Sequence, residues 1–165
     1  MRLRDEEEDV AIPPLNNIGL LPPGVHACNL DEIPTWFEGD LLRHRIWMGL
    51  AQVLPQMRAP FTTHAVPQGR LILGGSFFSD KPNPADIEAT VVLDASHPPT
   101  LMGRFVELFY TSHSQWKDEH LVDFYPTFPG QNDFSAFFQY VGVKTANAKG
   151  LQPNDLRGVV GLSIW

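Results

Sequence analysis

Leu71-Ile-Leu-Gly-Gly-Ser-Phe-Phe-Ser-Asp80-Lys-Pro-Asn-Pro-Ala-Asp86-Ile-Glu-Ala-Thr-Val-Val-Leu-Asp94 is the stretch on which the fold turns. Leu71 to Leu73 reads as a short buried strand, Gly74-Gly75-Ser76 as a turn, Asp80 to Pro84 as a loop, and the β-branched run from Asp86 as a second strand. Side chains alternate along a strand, so Asp86 and Glu88 share a face with Thr90 and Val92. Paired carboxylates in a half-buried sheet repel each other unless cations neutralise them, and divalent ions with oxygen ligands are the usual answer.

Downstream, His97-Pro-Pro-Thr100 reads as a turn, with Thr100 capping a helix that carries Leu101, Phe105, Leu108 and Phe109. A third strand is expected in His120 to Tyr125, where Asp123 interrupts an apolar run. A buried charge needs a partner or a metal, which makes Asp123 the third candidate ligand. Phe134, Phe137, Phe138 and Val141 follow helical spacing, with a strand from Ala136 to Val143 as the alternative, and Arg157 to Trp165 reads as a last strand.

Upstream, Leu21-Pro-Pro-Gly-Val-His26 reads as an extended lead-in without regular structure. Asn29 or Asp31 suits the cap of a short helix through Ile33 to Phe37. A longer helix follows Gly39-Asp40, with Leu42, Ile46, Leu50, Val53 and Met57 on one face and Arg43, His44, Arg45 and Arg58 on a solvated one. Pro60 to Gly69 reads as an irregular link. Together these elements predict an α+β fold, a single domain with a mixed β-sheet packed by helices over residues 19–165, preceded by a flexible acidic arm over residues 1–18.

Composition narrows the function classes. The net charge of −7 argues against a tight non-specific hold on nucleic acid, but Asp5 to Asp9 concentrates much of it, so a nucleic-acid substrate stays open. No apolar run is long enough to span a bilayer and the N-terminus is charged, which predicts a cytoplasmic protein with no membrane partner. Cys28, the sole cysteine, reads as a small apolar residue. The histidines lack metal-ligand spacing; His113 and His120 flank the candidate site and read as packing or capping residues. Ser76 lacks the elbow pattern of a serine hydrolase.

Gly75-Ser76, Asp86-Ile87-Glu88 on the next strand and Asp123 on a later one resemble the signature of the polymerase-β-like nucleotidyltransferase superfamily, especially its minimal single-domain members. Leu21 to His26, Phe134 to Gln139 and Arg157 to Gly161 are also similar to a family of small bacterial proteins grouped with those enzymes and without an assigned activity. The resemblance implies transfer of a nucleoside monophosphate from a nucleoside triphosphate, such as ATP, to a hydroxyl on RNA (a tRNA-like 3′ end) or on protein. It implies two Mg ions held by Asp86, Glu88 and Asp123, and a triphosphate held by Gly75 and Ser76. Toxin–antitoxin or phage-defence systems are a frequent setting of such proteins. Two departures stand out: Glu88 replaces the more usual Asp, and the loop after Ser76 lacks an arginine, leaving Lys81 as its only cation and candidate phosphate contact. The alternative is a non-catalytic nucleotide- or protein-binding module on the same fold. A further alternative is a site completed by a protein partner or a homo-oligomer, with Trp47 and Trp165 as exposed contacts.

Overall fold

The computed structural model describes residues 12–165. Its element order is β1 (Gly24–Ala27), α1 (Glu32–Trp36), α2 (Leu41–His64), β2 (Arg70–Gly74), β3 (Ile87–Val92), α3 (Pro99–His120), β4 (Val122–Phe124), α4 (Phe134–Phe137), α5 (Gly142–Lys149) and β5 (Gly158–Leu162). The strands form one five-stranded sheet in the order β1-β5-β2-β3-β4. The outer pairs β1–β5 and β3–β4 are parallel, while β5–β2 and β2–β3 are antiparallel. This is the single-domain α+β fold with a helix-packed mixed sheet that the sequence predicts.

Strand alternation divides the sheet into two unlike faces. Leu71, Leu73, Ile87, Ala89, Val91, Val122 and Phe124 turn to the main core, where Ile46, Leu50, Val53 and Met57 of α2 and Leu101, Phe105 and Trp116 of α3 cover them. The opposite face carries a smaller cluster of Ile72, Phe138 and Val159, with Tyr125 and Phe134 packed at its margin. Glu88 and Asp123 share this second face. The two long helices cross closely at Gly49, where an added Cβ would lie 1.9 Å from the His120 carbonyl oxygen. Only glycine permits that approach, which fixes the end of α3 and the start of β4.

Several local readings give way to long-range packing. The lead-in contains β1, whose parallel pairing with β5 cannot be seen in nearby residues. α2 continues through Pro55 and Pro60 to His64, although each proline removes one helical hydrogen bond. Buried Leu54, Met57 and Phe61 on either side outweigh that loss, Phe61 packing against Phe105, His97 and Trp165. Pro98, not Thr100, precedes the first turn of α3, with Pro99 at its first position. α5 has no counterpart in the sequence reading, because GVKTANAK offers one buried residue, Ala146. Trp47 and Trp165 are buried, not exposed, and the Trp165 indole donates to the Gly69 carbonyl at 2.9 Å.

Arg43 is the largest departure. It is 6% exposed and donates to the carbonyls of Phe77 at 2.7 Å, Ser79 at 2.7 Å and Lys81 at 2.9 Å, while its guanidinium pairs with Asp40 at 2.6 Å. A buried cation is tolerated when its donors meet acceptors, and the carbonyls of the 77–81 loop supply them. Arg43 therefore anchors the loop that follows the Gly-Ser turn. Of the expected N-terminal arm, residues 1–11 lie outside those described, and Ile12 and Leu15 pack against the main core. No helix among the described residues is long and apolar enough to cross a membrane.

Candidate functional site

The parallel register of β3 and β4 sets Ile87 opposite Val122 and Glu88 opposite Asp123. Because Ile87 and Val122 are claimed by the core, Glu88 and Asp123 fall side by side on the other face, and Asp86, just before β3, points the same way. All three line a cleft of about 920 Å³, together with Ser76 and Lys81. The structure thus gathers five of the six sequence-derived candidates around one cavity. Gly75 stands behind Glu88: with φ +86°, it holds a backbone conformation that glycine favours, and a Cβ there would come within 3.0 Å of the Glu88 Cγ.

The cleft also holds three cations that the sequence pattern did not single out: Lys117, Lys144 and Arg157. Lys117 reaches from the last turns of α3 to the Asp123 carboxylate at 2.8 Å. Arg157, just before β5, donates to the Phe138 carbonyl at 3.1 Å and to Glu88 at 3.2 Å. With Lys81, four cations face three carboxylates in a chain whose net charge is −7. The cleft is therefore an island of positive excess. The signals for Lys117 and Arg157 were faint: one sits on a helix face six residues before its partner, the other begins an apolar strand.

Burial dominates the electrostatics. It pushes the carboxyls of Asp86 and Glu88 above their ordinary values, with Asp123 adding to the rise at Asp86 and Arg157 opposing it at Glu88. The same burial lowers Arg157, while the hydrogen bond to Asp123 raises Lys117. One carboxylate oxygen, Asp123 Oδ1, is buried without a hydrogen-bond partner among the described residues. His113 approaches it to 3.8 Å through Nε2 while its Nδ1 bonds the Phe124 carbonyl at 2.9 Å. His113 does flank the site, whereas His120 closes α3 away from the cleft lining.

The donor set can be judged against divalent cations. Three carboxylates, one with an unengaged oxygen, are hard ligands of the kind that magnesium takes. Among the described residues, however, no group of three acidic, histidine or cysteine side chains converges closely enough to hold a metal. Glu88 lies against Gly75 and pairs with Arg157 at 3.2 Å, and Asp123 pairs with Lys117 at 2.8 Å. The donors suit the ion in kind, and the protein's own cations engage two of them. Cys28 has no part in this chemistry: it is buried, with its thiol pushed up to about 12 by burial and then by Glu32.

A family of unknown function (DUF6932) matches residues 13–152, and the chain belongs to that family. No curated protein and no solved structure matches the chain.

Proposed function

We propose that this family member is a magnesium-dependent nucleotidyltransferase that moves a nucleoside monophosphate from a nucleoside triphosphate to a hydroxyl of RNA or protein. The observation that supports the reading is the gathering of Asp86, just before β3, Glu88 on β3 and Asp123 on adjoining β4 in one cation-rich cleft beside the Gly75-Ser76 turn. Asp86 and Glu88 would hold both cations and Asp123 the one nearer the acceptor. When bound, such a pair supplies activation of the hydroxyl and charge neutralisation on the leaving pyrophosphate. The chain's own part is to position: Ser76 and the backbone at Gly75 meet phosphate oxygens, and Lys81 and Lys144 offset their charge from the cleft's rim. A toxin–antitoxin or defence setting belongs to the same proposal.

A second reading has an observation of its own. Lys117 on Asp123 and Arg157 on Glu88 neutralise two carboxylates without a metal, as a non-catalytic nucleotide- or protein-binding module would need. The test is incubation with magnesium, a bacterial lysate and each α-labelled nucleoside triphosphate, beside Asp86→Ala. Label in RNA or protein bands with the wild type alone is the expected result. No label from any nucleotide, with folded protein, overturns transfer and leaves the binding module, for which melting should still rise with ligand.

A further inference from the structure

Glu88 is in contact with two different things. One carboxylate oxygen, Oε2, lies against the Gly75 backbone, where a Cβ would be 3.4 Å away, and the same oxygen accepts from Arg157 at 3.2 Å. The guanidinium therefore stands beside the turn at which phosphate oxygens are expected, held there by an acidic side chain in place of an anionic ligand. Arg157 is 8% exposed, and a second bond to the Phe138 carbonyl fixes its stem. A planar guanidinium so fixed retains further N–H donors and suits a phosphate better than a lysine does.

We propose that Arg157 is the phosphate-binding arginine of this cleft, exchanging Glu88 for a phosphate of the ligand, so that phosphate binding releases Glu88 toward Asp86 and Asp123. This rests on the nucleotide reading above. It places the missing arginine just before the strand that closes the sheet, not on the loop after Ser76. It also couples the two ends of the site, because the group that leaves Arg157 is a carboxylate proposed to hold a cation. Phosphate should then favour cation binding, and the reverse, through one side-chain exchange.

The probe is inorganic tripolyphosphate, titrated calorimetrically in the presence of a chelator, so that no turnover is read. Arg157→Lys keeps the charge and loses the fork, and should weaken binding about ten- to a hundredfold. Glu88→Gln removes the competitor and should tighten binding more than Asp86→Asn, which deletes the same charge without touching Arg157. In the double variant Glu88→Gln with Arg157→Lys that extra gain should vanish. Circular dichroism of each variant checks that it folds, and Glu88→Gln tests the exchange even if Arg157→Lys does not. Equal affinity for wild type and Arg157→Lys, or equal gains from Glu88→Gln and Asp86→Asn, overturns the exchange and leaves the nucleotide reading standing. A wild type that binds neither tripolyphosphate nor a magnesium–nucleotide complex overturns both.

Discussion

The two faces of the sheet are built on opposite terms. Beneath β2, β3 and β4, Leu71, Leu73, Ile87, Ala89, Val91, Val122 and Phe124 meet two long helices in an apolar core. On the other face Ile72, Phe138 and Val159 form a small cluster under short helices, and Glu88 and Asp123 share that side with buried Thr90. The first face supplies the burial that folds a chain of this size; the second spends stability on charges held close together. Fold and chemistry are thus separable by strand alternation alone.

The largest expected effect breaks the comparison on its chemical side. Asp86→Ala should reduce nucleotidyl transfer on the order of a hundredfold or more, with melting unchanged or higher, because it removes a charge that burial disfavours. Radiolabel transfer beside a thermal melt checks both halves. On the packing side, Phe105→Ala, deep against Phe61, should cost about 4 kcal/mol in denaturant unfolding. A cost as small as that of a surface change would show that the second face shares the load.

Arg43→Met, on α2 against the 77–81 loop, sharpens the division. It strips donors from the 77–81 carbonyls and should cost about 3 kcal/mol by the same unfolding measurement. It should also make amide exchange after the Gly-Ser turn faster, which Phe105→Ala at equal stability should not do.

The smallest effect is a pH dependence. Asp86 has its folded value raised, so the folded state binds that proton more tightly than the unfolded one. Stability from this group therefore falls as pH rises from the ordinary carboxylate range through the raised folded value, and the full penalty applies above it. Asp86→Asn should raise the melting temperature at neutral pH, and the gain should disappear below about pH 4. A gain that persists in acid would assign the effect to packing and not to charge.

What the sequence made legible follows the same division. Asp86 and Glu88 could be found because they stand two apart at the head of a β-branched run and so share a face, and Asp123 because it interrupts an apolar run, where a carboxylate is costly enough to need a reason. Arg43 could not: on a helix wheel it looks solvated, and only the arrival of the 77–81 carbonyls makes its burial tolerable. Nothing near Arg157 in the sequence marks its role, since its partner Glu88 lies 69 residues away in the chain. The missed β1 and the extension of α2 past Pro60 have one cause, tertiary packing that outweighs local preference. α5 was missed for want of an apolar stripe, being held chiefly through Ala146 beside Leu20 and Val141.

The strand order β1-β5-β2 also has a consequence in time. Residues 158–162 lie between residues 24–27 and 70–74, so β1 has no neighbour, and β2 has only β3, until that strand has been synthesised. At about 5–20 residues per second on the ribosome, the β1 segment waits on the order of ten seconds with no partner, and β2 keeps one edge open for much of that interval. Sheet closure and the arrival of Arg157 beside Glu88 are then one event. A nascent chain halted before residue 157 would carry all three carboxylates and none of the closing strand, and its unpaired edges would be open to chaperones or to neighbouring chains.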